Sequence, residues 1–358
     1  MTGRTAITGL TKEELESKIL ELGQPKYRAG QVLDWVYSKR VKRFSEMSNL
    51  PEDFRTNLEN QYIINPLSPV KDDRSTDTTR KYLYQLNDGR YIETVIIPAS
   101  IGQQGKRSDR NTLCVSSQVG CAYGCKFCAS GLDGFTRNLE AAEITGQILA
   151  VEEETMKKIN NVVFMGMGEP LANIRNLMQA IKIINAEWGI GIGARHITVS
   201  TSGLVPQIKK IAEQPLQIRL AVSLHGATDE VREKIMPINK KYPIRDLFDV
   251  LDYYRTKKSQ KITFEYILIK DINDSLEQAE QLSKEARSLN AKVNLIPYNK
   301  VDGLNWQRPN ERTQKDFLNV LTSSGVQSTL RKEKGHDIEA ACGQLRLRKE
   351  KQEVTTKA

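Results

Sequence analysis

Three of the chain's five cysteines fall within eight residues, Cys121-Ala-Tyr-Gly-Cys125-Lys-Phe-Cys128. A loop this compact can point three thiols at one centre. Thiolates are soft ligands that suit zinc or iron–sulfur clusters. A structural zinc wants a fourth ligand and a ferredoxin-type cluster a fourth cysteine, and the triplet has none close by. With only three histidines, His196, His225 and His336, a His-rich metal site is not expected. A cubane held by three thiolates instead leaves one iron open to the amino and carboxylate groups of an amino acid. Two cysteines stand apart. Cys114 precedes the triplet by seven residues, and Cys342 sits in Glu339-Ala-Ala-Cys342-Gly-Gln. A lone cysteine is usually a small buried hydrophobe. Here Ala340, Ala341 and Gly343 leave room for a bulky group at the Cys342 sulfur, and if the fold brings Cys114 near it, a disulfide could form and break. An odd cysteine count without a signal-like N-terminus argues against a secreted disulfide framework, so the chain is expected to be cytoplasmic.

Elements must hold these residues in place. From residue 111, β-rich runs alternate with helical patterns: TLCVSSQ, NVVFMGMG, HITVSTSG, IRLAVSLHG, ITFEYILI and KVNLIPYN each precede a helix, and VQSTLRK closes the series. Repeated βα units predict an α/β fold with a parallel sheet and helices outside. Six units suit a partial (βα)6 barrel better than a closed eight-fold one, with chemistry at the C-terminal strand ends. CVSSQVGC, GMGEP, STSG, SLHG and PYN all fall there. Small residues in Gly166-Met167-Gly168-Glu169-Pro170 would let a ligand approach the backbone, and Glu169 could accept from an ammonium or hydroxyl. Upstream, Thr11 and Glu14 form a capping box ahead of Leu15, Ile19 and Leu22, with Gly23 as the stop. Ala29, Val32, Leu33 and Val36 mark a second helix, and Pro51 suits the first turn of a third. KYLYQL and RYIETVIIP flank Asn87-Asp88-Gly89, a hairpin signal. The expected units are a helical accessory module over 1–70, the hairpin and a polar loop over 71–110, the barrel over 111–345 and a basic tail over 346–358.

The formal net charge is +9, which favours polyanionic partners but equally describes a generic basic surface. Apolar residues at 39% suffice for a packed core. No apolar run is long enough to span a bilayer, so no membrane partner is expected.

The C-x3-C-x2-C spacing, with aromatic Phe127 before the last cysteine, resembles that of the radical S-adenosylmethionine (SAM) superfamily. Together with TLCVSSQVGCAYGCKFC, GFTRNL, EITGQ, GMGEP, SLHG, NLIPYN and Cys342 before Gly343, it resembles the dual-specificity 23S ribosomal RNA and transfer RNA adenine-C2 methyltransferases over nearly the whole chain. The resemblance implies a 4Fe–4S cluster on Cys121, Cys125 and Cys128. It implies SAM contacts at Gly168, Glu169, Ser200, Ser223, Leu224, His225 and Asn299. It implies methylation at adenosine 2503 of 23S rRNA and adenosine 37 of tRNAs, using two SAM per turnover. One SAM would methylate Cys342; the other, cleaved at the cluster, would yield a radical that activates that methyl group. A covalent protein–RNA adduct would follow, resolved by Cys114 with a transient disulfide to Cys342. Glu93 matches the family's proton acceptor, although a strand Glu alone usually marks a solvated face. The implied partners are both RNAs, a flavodoxin-type electron donor and a disulfide reductant, acting on a monomer. The target adenine must be unstacked. The polar segment at 101–110 departs from the family pattern. Rival readings are a C8-methylating relative, a non-catalytic zinc-bearing RNA-binding protein, and a radical enzyme acting on a small molecule.

Overall fold

The structure is a computed structural model that describes residues 4–99, 110–132, 134–301, 304–331, 334–340 and 343–345. Cys342, the 101–109 part of the polar loop and the 346–358 tail lie outside the described residues.

Helix α1 (Lys12–Glu21) starts at the expected capping box: Thr11 N–H donates to Glu14 Oε2 (2.8 Å) and Glu14 N–H to Thr11 Oγ1 (3.3 Å). Gly23, at φ +71°, follows its end. Helix α2 (Arg28–Leu33) runs into a π-helical turn, Asp34–Ser38. Helix α3 (Glu52–Gln61) begins one residue after Pro51, which is its N-cap rather than part of its first turn. These helices bury Leu15, Ile19, Val32, Leu33, Phe54 and Leu58. Two short strands, β1 (Thr5–Ala6) and β2 (Tyr62–Ile63), pair in parallel and tie the ends of this region together.

Among the described residues the main sheet has ten strands. β3 (Ser68–Arg74), β4 (Arg80–Gln85), β5 (Tyr91–Pro98) and β6 (Asn111–Cys114) are antiparallel neighbours. The β4–β5 turn is at Asn87-Asp88-Gly89 as expected, with Gly89 at φ +82°. From β6 the sheet becomes parallel, through β9 (Asn161–Phe164), β10 (Ile197–Thr201), β11 (Arg219–Ser223), β12 (Thr263–Leu268), β13 (Lys292–Pro297) and β14 (Ser328–Leu330). The hairpin is thus continuous with the βα sheet. β3 and β14 are its edges.

Each parallel strand lies beside the next in sequence, and helices make the crossovers. α5 (Ala141–Thr155), α6 (Ile174–Asn185), α7 (Val205–Ala212), α8 (Asp229–Ile235) with α9 (Ile244–Lys257), α10 (Leu276–Ser288) and α11 (Glu311–Ser323) do this in turn. Their apolar faces, such as Leu177, Ile181 and Ile184 on α6, share a buried core with Phe164, Val199, Val222, Phe264 and Leu295 from the strands. The chain after β6 first makes β7 (Gln118–Gly120), the cysteine loop, the short α4 (Ala129–Leu132) and β8 (Phe135–Asn138), with β7 and β8 antiparallel. No helix among the described residues is long and apolar enough to cross a membrane.

The N-terminal helices dock on α5. Thr145 Oγ1 donates to Thr8 O at 2.7 Å, and a Cβ on Gly9 would lie 2.8 Å from Ala142, so the small residue permits the close approach.

Candidate active site

The cysteine loop leaves β7 at Gly120, which is at φ +73°, and a Cβ there would lie 2.0 Å from Gly134 O. Only glycine fits that bend. Cys121 N–H then donates to Gly134 O (2.8 Å), Lys126 N–H to Ile235 O at the end of α8 (2.9 Å), and Cys128 N–H to Cys125 O (3.0 Å). Phe127 stacks edge-on against His225, with centroids 4.5 Å apart. The loop is thereby fastened to the C-terminal end of β11.

All three thiols line one cavity with Gly166, Gly168, Glu169, Ser200, Ser202, Ser223, His225 and Glu265. Burial pushes the Cys121 thiol up to about 12 and also raises Cys125 well above its ordinary value, each thiol opposing ionisation of its neighbours. Such thiols stay neutral until a cationic centre binds them, which is the donor chemistry of an iron–sulfur site. Among the described residues, no three ligating side chains gather around a single metal ion. Three thiols lining one cavity suit a cluster, whose irons take one thiolate each.

Glu169 is buried on this cavity's wall. Its Oε1 accepts from Leu171 N–H (3.0 Å), starting the 3-10 turn Pro170–Asn173, and its Oε2 accepts from Ser202 N–H (2.7 Å). The residue is both a cap and a site acceptor: a carboxylate has about four lone-pair positions, so two remain for an ammonium or hydroxyl. Burial raises its pKa, against the lowering effect of those N–H groups. The buried Ser202 Oγ lies beside that carboxylate without a hydrogen bond of good geometry, a further polar atom ready for a ligand.

His225 has φ +56° and is buried. Its Nδ1 accepts from Ile267 N–H (3.0 Å), which leaves the proton on Nε2. Burial, reinforced by the Arg232 charge, lowers its pKa to about 3, so the ring is neutral. A neutral Nε2–H donor suits an uncharged acceptor atom.

A second cavity is lined by Cys114, Asn299, Ile97, Lys334, Ala340 and Gly343. It shares Cys128, Ser130, Met165, Gly166, Ile296 and Gly343 with the first, so the two adjoin across a common wall. Gly343 docks on the cysteine loop: its carbonyl accepts from Ala129 N–H (2.7 Å), and its φ is +83°.

Two expected residues are elsewhere. Leu224, the residue after β11, lines neither cavity; its side chain is fully buried and its N–H donates to Glu265 O (3.1 Å). Glu93 also lines neither. It is not on a solvated face: it is buried and ion-paired with the equally buried Lys81 at 3.1 Å. The glycines of GMGEP line the first cavity and also serve a second purpose. A Cβ on Gly166 would lie 2.8 Å from Ser116, and one on Gly168, at φ +93°, would lie 2.4 Å from Gln118. They admit the chain's own VSSQ segment on that side.

Sequence reasoning missed the network that joins these motifs. Ser116 Oγ donates to Glu93 O (2.6 Å) and accepts from Met167 N–H (2.9 Å). Gln147, from EITGQ, exchanges hydrogen bonds with the Ser116 backbone, and Gln118 accepts from Glu169 N–H. Glu265, the lone charge in an apolar strand, was the readable signal for a second buried carboxyl on the cavity. Asn294 donates to it at 2.7 Å, and burial raises its pKa. Arg232 left no signal. Its fully buried guanidinium donates to Asn239 Oδ1 (2.8 Å) and Ser202 O (2.6 Å) and faces Cys125, whose rising pKa it opposes.

The radical SAM superfamily model matches residues 115–282, which contain the cysteine loop, Glu169 and His225. The model of the ribosomal RNA large subunit methyltransferase N-terminal domain matches residues 5–64. The chain is 54% identical over 346 residues to a probable dual-specificity RNA methyltransferase RlmN from Akkermansia muciniphila, covering 97% of this chain and 96% of that protein. It belongs to the RlmN family of radical SAM methyltransferases. A Bacillus mycoides protein of the same name is 45% identical over 99% of this chain and 96% of its own length. The crystal structure of a radical SAM methyltransferase from Sphaerobacter thermophilus superposes with a TM-score of 0.90 at 41% identity, covering 96% of this chain and 99% of that one. As an RlmN-family member the chain is a SAM-dependent methyltransferase, and its superfamily works with a 4Fe–4S cluster and SAM.

Proposed function

We propose that this chain methylates C2 of adenine in structured RNA, at adenosine 2503 of 23S rRNA and adenosine 37 of tRNAs. The observation that carries the reading is the adjacency of the two cavities: Cys128, Ser130 and Gly343 line both the space that holds Cys121, Cys125 and Glu169 and the space that holds Cys114 and Ala340. Ala340 and Gly343 are close in sequence to Cys342, so the reading has Cys342 working opposite Cys114. The relatives' names supply the RNA class.

In this reading Cys121, Cys125 and Cys128 hold the cluster. Gly168, Glu169, Ser200, Ser223, His225 and Asn299 hold SAM, with Leu224 contributing backbone only. Bound there, the two cofactors supply a methyl group and the one-electron cleavage that generates a hydrogen-abstracting radical, at two SAM per turnover. Glu169 orients the methionine ammonium, and neutral His225 donates without adding charge. Cys342 carries the methyl carbon to adenine, and Cys114 displaces the adduct from it, leaving a disulfide that a thiol reductant reopens. Glu93, ion-paired with Lys81 behind the cavity walls, is assigned the family's proton-acceptor role by resemblance alone. We also read the chain as a cytoplasmic monomer reduced by a flavodoxin-type donor. Residues 1–70 are its RNA-gripping accessory module, 71–110 the hairpin and loop, 111–345 a partial (βα)6 barrel and 346–358 a basic tail.

The test is anaerobic turnover on ribosomal and transfer RNA fragments, followed by nucleoside mass spectrometry. 2-Methyladenosine is expected, and Cys114→Ala should accumulate a covalent protein–RNA adduct. A pure 8-methyladenosine product would overturn the C2 assignment. A colourless zinc protein that forms no adduct would overturn the radical mechanism.

A further inference from the structure

A groove of about 600 Å³ lies beside the Cys114 cavity, lined by Tyr298, Lys300, Leu304, Asn305, Trp306, Gln307, Arg308 and His336. Its composition is specific. Trp306 is half-buried and packs edge-on to Tyr298 at 6.1 Å, which fixes the indole plane. Lys300, Arg308 and His336 are exposed at its margins, and none of the described lining residues is acidic. Asn305 and Gln307 are exposed amides, able both to donate and to accept.

The groove is mechanically joined to the active site. Arg308 donates from Nε to Tyr298 O (2.9 Å) and from Nη2 to Asn299 Oδ1 (2.9 Å), and Asn299 lines the Cys114 cavity. Gln344, one residue past the docked Gly343, donates to Lys300 O (3.1 Å). Whatever fills the groove is therefore within reach of the cavity mouth.

Aromatic face, flanking cations and amides for base edges are the three components of a single-stranded nucleotide site. We propose that this groove binds the nucleotide adjacent to the target adenosine, stacking its base on Trp306 and setting its phosphate against Lys300. The proposal rests on the RNA reading and names the surface that reading lacks. It also answers a mechanical need: extruding one adenine leaves its neighbour unstacked, and an aromatic platform replaces the lost stacking. Arg308 links the two, ordering Asn299 in the cavity from the groove's edge.

The test measures binding of a fluorescein-labelled RNA fragment to anaerobic, cluster-loaded enzyme, with methyl transfer to the same RNA assayed in parallel. Trp306→Ala should bind ~10-fold or more weakly, and Trp306→Phe, which keeps an aromatic face, should recover most of that. Lys300→Ala should weaken binding and flatten the plot of log affinity against log salt by about 0.7, one phosphate's worth on a single strand. Lys284→Ala, on the exposed side of α10, is the charge-matched control and should leave both quantities unchanged. If the wild type methylates the RNA while Trp306→Ala and Lys300→Ala bind it as the wild type does, the groove assignment falls and the RNA reading stands. If the wild type neither binds nor methylates RNA, both fall.

Discussion

Replacing His225 by Gln should flatten the acid limb of this protein's stability profile. The ring sits on the cavity wall against Phe127, its Nδ1 committed to Ile267 N–H, and burial beside Arg232 lowers its pKa from 6.5 to about 3. In the unfolded chain the same ring takes up a proton once the pH drops below 6.5. The folded site refuses that proton until about pH 3, so the unfolded state binds more protons throughout this window. Stability from this site is therefore complete above pH 6.5 and is lost as the pH falls. Each unit is worth 1.36 kcal/mol, so lowering the pH from 6.5 to 5 costs about 2 kcal/mol through this one group. The assay is anaerobic urea unfolding, followed by tryptophan fluorescence at several pH values between 5 and 7.5. His225→Gln should have a profile shallower by about 2 kcal/mol over that range. His196 and His336 are common to both proteins and cancel in the difference. Parallel profiles would refute the argument, as would histidine NMR that shows His225 titrating near 6.5 or carrying its proton on Nδ1.

Two further perturbations probe the ground beneath the site. Glu93→Gln or Lys81→Met alone breaks a buried ion pair and should cost about 3–5 kcal/mol, with the double variant recovering much of it; thermal and urea unfolding measure this, and additive losses would count against a coupled pair. Arg232→Gln removes a buried cation that faces Cys125, so the cluster's reduced, more negative state loses stabilisation. Its reduction potential, followed by EPR during a redox titration, should move negative, with Arg232→Lys closer to wild type; an unchanged or raised potential would contradict the electrostatic role.

Much of the fold was readable because its signals are local. The Thr11–Glu14 box, the Asp88-Gly89 turn and the alternation of β runs with helices depend on residues within a few positions of each other, and all are present. Strand β3 was not readable. SPVKDDR is polar, contains a proline and shows no alternation, which only an edge strand tolerates. Its pairing comes from β4, not from its own sequence. Glu93 misled for a similar reason: as a lone charge in a strand it suggests solvent, but the antiparallel register sets Lys81 on the same face as Val95 and Glu93, inside the sheet's cover.

The amino-acid sequence by itself determined the chemistry available: three thiols at cluster spacing, a carboxylate after a glycine-rich strand end, and two further cysteines. Residue type and short spacing suffice for that, because ligand softness and loop reach are local properties. The tertiary structure decided which groups act together and in what state. VSSQ, EITGQ and GMGEP meet only because β6 and β9 are neighbours, and His225 is neutral only because Phe127, Ile267 and Arg232 arrive from separate elements. Burial and long-range electrostatics depend on every atom nearby, and those neighbours are fixed only once the whole sheet has closed around them.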